Sequence, residues 1–497
     1  MKKLRIIKTD LTKEKGKLDR YFSECIGAGR AAEVMRYAAS KQLEYIQSVC
    51  PFGYIRFHGL FHEEMAVVTR NEKGGLAFSF IYIDQLFDRL LELGIRPVVE
   101  LSPMPDIMAK DKKYLMWWKM NVSMPKELSE WHELISSFVS HVTERYGREE
   151  IKKWYFEVWN EPDHPAFFTE YENIEKYFEL YDTAAFAVRS VDAEYRVGGP
   201  STAAPDWLCS FIKHCREKNV PLDFVSTHSY GVKGFFDDNG EKILSLLPVG
   251  DIVSAVKQTG NLCKEHGLPL FLTEWSSSFS PQDPVHDTYF GAIFILNTLK
   301  HCSGSAQLMS YWTYTDIFEE LGPPMTPFHG GFGILTANGI KKPAFHAFRF
   351  LSSLFDKELE CDDENAYVTE RDGEIRVLLW NIVSPPEKIN DREYFKKRLV
   401  SKKTEDAKLL LDGAEKNAEY TVTVETLGYR SGDVYSEWLD MEIERIDTKE
   451  QEARLNMASE TKKAVFSVCS DKNGIVEIPI GQHENTAYFL TIKKSDV

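Results

Sequence analysis

The 497-residue sequence has no long apolar run, no excess of positive charge and no paired-cysteine motif. The apolar runs between charged residues are too short to span a bilayer, which argues against a membrane protein. Acidic residues number 76 and basic residues 60, a formal charge of -16, so the surface should repel a nucleic-acid backbone. The eight cysteines are scattered without a CxxC pair, so no metal or redox motif is supported.

Residues 1–10 alternate basic and apolar side chains and lack the apolar core of a secretion signal, so we expect a soluble, cytoplasmic protein. Aromatic residues, in contrast, are abundant, with 10 Trp, 22 Tyr and 31 Phe. Flat aromatic faces fill protein cores, and they also stack on sugar rings.

Between about residue 24 and residue 316, short β-branched or aromatic runs alternate with longer amphipathic stretches, which is typical of βα units. Eight candidate strands follow from this pattern, at residues 24–28, 53–58, 95–101, 154–159, 195–199, 224–230, 268–275 and 308–315. Their mean spacing of about 37 residues fits an α/β fold of the (β/α)8, or TIM barrel, type.

Polar residues stand at or near the ends of most of these strands: His58, Glu100, Asn160, Glu161, His228, Glu274, Thr315 and Asp316. In a barrel of parallel strands the carboxyl ends meet on one face, where the loops build the active site. We therefore expect these side chains to share a site.

After about residue 342 the sequence changes to short alternating runs separated by Gly, Pro, Asp and Asn turns, a pattern that predicts a β-sandwich. The predicted domains are a catalytic barrel at residues 19–342 and an additional C-terminal sandwich at residues 343–497. A strand from residues 1–18 is expected to complete the sandwich.

Two strands each deliver a carboxyl group to the catalytic face. Glu161 follows the apolar run 154–159 and precedes Pro162, which ends the strand ladder. A carboxyl among aromatic rings has its pKa raised by desolvation, as a general acid requires. Glu274 ends a second apolar strand, and a retaining glycosidase needs two carboxyls about 5–5.5 Å apart.

The chain also resembles a known family, the retaining glycoside hydrolases of family 39, and especially the bacterial β-xylosidases among them. The resemblance covers nearly the whole chain. It rests on an ordered set of motifs at residues 56–60, 95–97, 160–162, 197–200, 223–230, 273–274, 280–288, 310–313, 318–320 and 328–333.

The resemblance implies a role for each matching residue. Glu161 would be the general acid/base and Glu274 the nucleophile of a double displacement. Asn160 would bind the sugar 2-hydroxyl, and Arg56 would hold Glu274 ionised. The first sugar subsite would be lined by His58, His228, Tyr230, Trp312, Glu319 and Glu320, with one or both of the two glutamates accepting hydrogen bonds from ring hydroxyls.

Tandem tryptophans are a further candidate feature of this site. Trp117 and Trp118 lie in the loop after the third strand, where they could either form a platform for the leaving group or pack within the loop. Neither the sequence nor the resemblance implies a metal or another cofactor.

The expected function is that of an exo-acting β-xylosidase, which removes xylose from the non-reducing end of xylo-oligosaccharides or from aryl xylosides. An α-L-iduronidase of the same family is the alternative, since it shares the run 160–164. A uronate needs a cation, and Tyr230 stands where the iduronidase pattern has Lys, although Lys233 is nearby. A non-catalytic carbohydrate-binding protein is a third reading.

The expected partners are therefore sugars, with no nucleic acid and no membrane. Many relatives continue beyond the last sandwich strand into a helical tail that supports tetramers. This sequence has no such tail, so a monomer or dimer is favoured and a homo-oligomer is left open.

Overall fold

The computed structural model describes residues 4–236 and 240–495. Eight parallel strands close into a barrel in the order in which the chain forms them. We number these barrel strands 1 to 8: Cys25–Arg30, Tyr54–His58, Arg96–Leu101, Tyr155–Val158, Arg196–Thr202, Phe224–Tyr230, Leu270–Ser276 and Leu308–Tyr311. Each of the eight strands predicted from the sequence overlaps one of them, so the predicted barrel is confirmed.

A principal helix follows every barrel strand. These helices are Tyr37–Val49, Ile81–Glu92, Leu128–Tyr146, Ile174–Val191, Leu208–Lys218, Val249–Glu265, Tyr289–Cys302 and Pro343–Ser352. The apolar stripe of the third helix explains its position, because Trp131, Ile135 and Phe138 are all buried against the barrel. That helix ends at Gly147, whose φ of 84° lies in the region that favours glycine.

The eighth helix lies next to the predicted domain boundary. Pro343–Ser352 begins at the residue after position 342, and its Phe348, Phe350 and Leu351 belong to the same apolar core as the barrel strands. The same core also includes Tyr367, Trp380 and Phe489 of the strands that follow, so the boundary at residue 342 stays a prediction.

The second structural unit is a mostly antiparallel nine-stranded sheet that folds into a β-sandwich, as predicted. Its strands are Arg5–Lys17, Lys357–Cys361, Ala366–Arg371, Glu374–Asn381, Ala407–Asp412, Glu419–Leu427, Lys462–Cys469, Val476–Ile480 and Thr486–Lys494. The N-terminal strand runs parallel to Ala407–Asp412 and antiparallel to Lys357–Cys361. The outermost predicted limits, residues 1 and 497, lie outside the described residues.

Alternation of apolar and polar residues gives the sandwich a core of its own. Ile7, Val377, Leu409, Ile478 and Leu490 are buried together, in a cluster separate from that of the barrel. Since successive strand residues point to opposite faces, the intervening polar side chains face outwards.

Two helices, Val434–Met441 and Lys449–Ala458, pack against each other beside the sandwich. Among the described residues, no helix is both long and apolar enough to cross a membrane.

Candidate active site

The barrel brings Glu161 and Glu274 together at the carboxyl ends of its strands. Glu161 lies three residues after barrel strand 4 and Glu274 lies within strand 7. One oxygen of each carboxyl group lies within 4.8 Å of the other. His228, near the end of strand 6, has its Nδ1 2.8 Å from Glu161 and 3.7 Å from Glu274. The spacing is close to the 5–5.5 Å or so that a retaining glycosidase uses, and far below the spacing of an inverting one.

The surroundings of Glu161 favour its protonated form. Burial raises the pKa of this carboxyl to about 7. Its hydrogen-bond partner is the ring of His228, with 2.8 Å between Nδ1 and Oε1. Burial also lowers the pKa of His228, to about 4, so that ring is neutral near pH 7 and adds no positive charge beside Glu161.

The surroundings of Glu274 are quite different, because two donors are aimed at its oxygens. A guanidinium nitrogen of Arg56 lies 2.5 Å from Oε1, and the Tyr230 hydroxyl donates to Oε2 at 2.6 Å. His58 adds a third polar contact, with Nε2 at 3.6 Å from Oε1. These groups fix the orientation of the carboxylate and stabilise its negative charge.

Arg56 is the centre of a buried charge cluster beneath the pocket. Its guanidinium lies 2.7 Å from Glu100 and 2.9 Å from Glu157, in addition to Glu274, and its side chain is fully buried. Burial alone would lower the pKa of Arg56, but the three carboxylates outweigh it and the pKa is raised. Arg56 therefore stays charged and is held from several sides.

Sequence reasoning did not single out Glu157 or Ser201, both of which contact Arg56. Glu157 carried a recognisable signal, since it is a charged residue inside an apolar barrel strand. Such a residue needs a buried partner of opposite charge. Ser201 carried no signal of this kind.

Asn160 is the residue best placed to donate a hydrogen bond to a ligand. Its side-chain oxygen accepts a bond from Arg56 at 2.8 Å, which fixes the amide orientation. The amide nitrogen Nδ2 is buried and has no hydrogen-bond partner in the described part of the chain. A buried donor without a partner is costly, and a ligand hydroxyl would satisfy it.

Glu319 and Glu320 are adjacent but have different surroundings. The Glu319 carboxylate is bound by Arg30 at 2.9 Å and by Arg36 at 2.6 Å, and its pKa is lowered: burial opposes this, and the two arginines outweigh it. Burial raises the pKa of Glu320 to about 8, and the nearby Glu274 and Glu161 contribute to the increase. Of the two glutamates, Glu320 is therefore the one beside the carboxyl pair.

Comparison with known proteins agrees with this geometry. The model of the family described as glycosyl hydrolases family 39 matches residues 5–475. The chain belongs to glycosyl hydrolase family 39. It is a glycoside hydrolase, and the sequence prediction of the family is confirmed.

Relatives within family 39 match the chain over nearly its full length. A β-xylosidase from Caldicellulosiruptor saccharolyticus is 36% identical over 99% of this chain and 100% of its own length. The solved structure of a family 39 enzyme from Xanthomonas axonopodis pv. citri has a TM-score of 0.94 at 34% identity, covering 100% of this chain and 98% of that one. A monomeric β-xylosidase from Caulobacter crescentus CB15 has a TM-score of 0.93 at 34% identity, covering 98% and 99%.

Trp312 forms an apolar wall next to the charged groups of the family 39 site. It is buried, with its ring 4.9 Å from that of His58 and 5.6 Å from the Arg56 guanidinium carbon. A side chain at Gly27 would place its Cβ 2.4 Å from the Trp312 ring, so glycine is required there. Burial lowers the pKa of His58, but the adjacent Glu100 outweighs it and the pKa is raised.

The two tandem tryptophans have different environments, so the two alternatives, loop packing and contact with a ligand, apply to different residues. Trp118 is buried between Arg30 and His62 and packs within its loop. Trp117 is 58% exposed, and its backbone N–H donates to the Glu320 carbonyl oxygen at 2.8 Å. Only Trp117 is available to a ligand at the rim of the pocket.

The donors of Glu161, His228 and Glu274 are close enough together to reach one metal ion. Their other contacts do not fit such a ligand, because the cation of Arg56 is already 2.5 Å from Glu274 and would repel a second one. His228 Nδ1 is likewise engaged by Glu161. Each carboxyl group is hydrogen-bonded to its own protein partners, and the expectation that no metal is used stays a prediction.

Proposed function

We propose that this family 39 hydrolase is a retaining, exo-acting β-xylosidase. It would release xylose from the non-reducing end of xylo-oligosaccharides and from aryl xylosides. The observation that supports this most is the pair of carboxyl groups within 4.8 Å, one desolvated and the other bound by an arginine. The names of the full-length relatives as β-xylosidases support the choice of sugar.

The first step breaks the glycosidic bond. Glu161, protonated near neutral pH, gives its proton to the leaving oxygen, while Glu274 attacks the anomeric carbon. The product is a covalent xylosyl-enzyme together with a free alcohol or a shortened oligosaccharide. Arg56 and Tyr230 orient the attacking carboxylate.

The second step hydrolyses this intermediate. Glu161, now a carboxylate, takes a proton from a water molecule that attacks the anomeric carbon on the opposite face. Glu274 leaves as a carboxylate and Glu161 is again protonated. Two inversions give net retention, and the protons balance over the cycle.

The remaining residues of the pocket would recognise the sugar. The Asn160 amide would donate to the 2-hydroxyl, Glu320 would accept from other ring hydroxyls, and Trp312 would supply an apolar wall. His58 and His228 would complete the subsite, with His58 orienting Glu274 and His228 orienting Glu161. Trp117 is the remaining candidate for contact with the leaving group.

A neutral pentose fits this pocket better than a uronate. The Tyr230 hydroxyl is engaged by Glu274, Arg56 is surrounded by carboxylates, and Lys233 is exposed on the hairpin strand Val232–Phe236. Glu320 adds a carboxyl group that an anionic sugar would meet unfavourably. These features argue against the α-L-iduronidase alternative.

The test is an assay on 4-nitrophenyl β-xyloside with wild type, Glu161→Ala, Glu274→Ala and the exposed-surface control Glu265→Ala. Wild type and the control should be active, and NMR should show β-xylose as the first product. Azide should restore turnover of Glu161→Ala with this activated leaving group and give β-xylosyl azide. Initial release of α-xylose, or cleavage of an aryl iduronide in place of the xyloside, would contradict the proposal.

The same assay separates an enzyme from a carbohydrate-binding protein, because the latter would bind xylose without releasing 4-nitrophenol. A cytoplasmic location, a part in xylan breakdown and a monomeric or dimeric state stay predictions. Cell fractionation, growth on xylo-oligosaccharides and light scattering after gel filtration would test them in turn.

A further inference from the structure

Lys342 is a fully buried cation that lies outside the acid pair. Its Nζ is 2.6 Å from an oxygen of Asp287 and 2.8 Å from an oxygen of Asp316, and it donates to the Gly331 carbonyl at 2.7 Å. All three side chains are completely buried. Burial would lower the pKa of Lys342, but the two aspartates outweigh it and the pKa is raised, so the lysine is charged.

This ion cluster joins two loops of the catalytic face. Asp287 lies in the loop after barrel strand 7, and Asp316 lies in the loop after strand 8. The second oxygen of each aspartate accepts a backbone N–H at 2.7 Å, from Gly330 for Asp287 and from Gly333 for Asp316. Lys342 thus holds both ends of the segment 330–333.

The contacts around this segment are so close that only glycine fits at positions 330 and 331. A Cβ at Gly331 would lie 2.3 Å from an oxygen of Asp316, and one at Gly330 would lie 2.5 Å from the backbone of Asp283. Packing on the ion cluster therefore explains Gly331, and packing on the neighbouring backbone of Asp283 explains Gly330.

The segment held in this way reaches the apolar wall of the pocket. Thr313, the residue after Trp312, donates its N–H to the Phe332 carbonyl at 3.2 Å and accepts a bond from Ile334 at 3.2 Å. Phe332 packs edge-on against Phe318, with 5.3 Å between ring centres. Phe318 in turn packs edge-on against Trp312 at 6.0 Å.

We propose that Lys342 is a positioning residue for the sugar pocket, which it shapes by holding the segment 330–333 and, through it, the Trp312 wall. Lys342 touches no reacting group. The inference rests on the proposed function to the extent that Trp312 contacts the sugar. A lysine that only stabilises the fold would have no such link to Trp312.

A double-mutant cycle of Lys342→Met and Trp312→Ala distinguishes these two roles. All variants are assayed at a temperature where near-UV circular dichroism shows them folded. We expect Lys342→Met alone to lower kcat/KM on 4-nitrophenyl β-xyloside by about 100-fold, since displacements of about 1 Å can have that effect. In the Trp312→Ala background the same change should lower kcat/KM by less than about 3-fold, because the ring that Lys342 positions is absent.

Two further variants keep the test decisive. Lys341→Met is the matched control, because Lys341 pairs with Glu460 in the sandwich half and away from the cluster, and its kcat/KM should be unchanged. Asp287→Asn replaces Lys342→Met if the latter does not fold, since it leaves one aspartate to balance Lys342. Asp287→Asn should lower kcat/KM less than Lys342→Met does, and its effect should likewise depend on the presence of Trp312.

The outcomes separate the two proposals. Equal losses in both backgrounds, or no loss in a folded Lys342 variant, would overturn the positioning role while leaving the xylosidase assignment intact. A wild type that is inert on xylosides would instead overturn the assignment. The cycle is then measured on the glycoside that the wild type cleaves, and the same non-additivity is required.

Discussion

Glu161 and Glu274 face one pocket, but the groups around them differ in charge. Glu161 is desolvated and hydrogen-bonded to a neutral histidine, and its pKa is raised to about 7. Glu274 lies against the Arg56 guanidinium and the Tyr230 hydroxyl. Under the proposed mechanism, this difference would give two identical carboxyl groups on one barrel face the opposite tasks of proton donor and nucleophile.

The two carboxyl groups also differ in how many residues hold them in place. Glu161 depends on burial and on one ring, whereas the Glu274 side continues through Arg56 to Glu100 and Glu157. Changes on the Glu274 side should therefore alter the rate most, and changes on the Glu161 side should alter its dependence on pH and leaving group.

The largest effect is expected for Glu274→Gln compared with Glu161→Gln. Losing the nucleophile should lower kcat by about 10⁵-fold or more with every leaving group. Losing the acid should cost about 10²–10⁴-fold for an alcohol leaving group and much less for 4-nitrophenolate, which needs little protonation. Steady-state kinetics on an aryl xyloside and on xylobiose measure both.

The exposed Glu133→Gln is the control for this pair and should behave as wild type. Equal sensitivity of the two variants to the leaving group would contradict the assignment of acid and nucleophile.

Arg56→Lys should have the next largest effect. A lysine keeps the charge but cannot contact Glu274, Glu100, Glu157 and Asn160 together, so Glu274 loses its fixed orientation. We expect kcat/KM to fall about 10²–10³-fold, by analogy with the loss of a preorganised donor. Kinetics together with urea unfolding would show the loss of rate and of stability.

Arg189→Lys is a matched control, because one guanidinium nitrogen of Arg189 contacts both carboxylate oxygens of Asp223 at 2.7 Å, away from the carboxyl pair. It should lower stability slightly and leave kcat/KM intact. A similar rate loss in both variants would mean that Arg56 acts through the fold alone.

Tyr230→Phe removes one donor from Glu274 without changing Glu161. A hydrogen bond to a charged group is worth about 1.5–3 kcal/mol, so kcat/KM should fall about 10–100-fold. The decrease in kcat/KM above about pH 7, set by deprotonation of Glu161, should keep its midpoint. The pH–rate profile, with the buried Tyr181→Phe as the control, tests both points.

Much of this site was predictable from the sequence, because its main signals are local. An apolar run that ends in a polar residue marks a barrel strand and its carboxyl end, and Glu161, Glu274 and His228 all follow this pattern. The period-2 alternation beyond the barrel indicated the sandwich in the same way.

Other features depend on which loops meet, and no local pattern contains that information. The partners of Lys342 lie 26 and 55 positions away along the chain, and they become neighbours only when the loops after barrel strands 7 and 8 pack together. Trp118 is buried by Arg30, at the end of barrel strand 1, and by His62, in the loop after strand 2, so its burial could not be inferred from its neighbours in sequence.

The last expected effect is on stability and not on rate, and it concerns the Glu161 side alone. The ordinary carboxyl pKa is 4.5 and that of folded Glu161 is about 7, so in this interval the folded state holds a proton that the unfolded state has lost. The contribution of Glu161 to the unfolding free energy therefore falls as pH rises from about 4.5 to 7, by about 2–3 kcal/mol. Glu161→Gln removes this dependence, so its stability relative to wild type should increase over that range and level off above it.

Urea unfolding at pH 5 and pH 8 measures the difference in stability between Glu161→Gln and wild type, and the exposed Glu133→Gln should show no such difference. A Glu161→Gln advantage that is the same at both pH values would mean that Glu161 is not desolvated, and the contrast between the two carboxyl groups would then have to come from Arg56 alone.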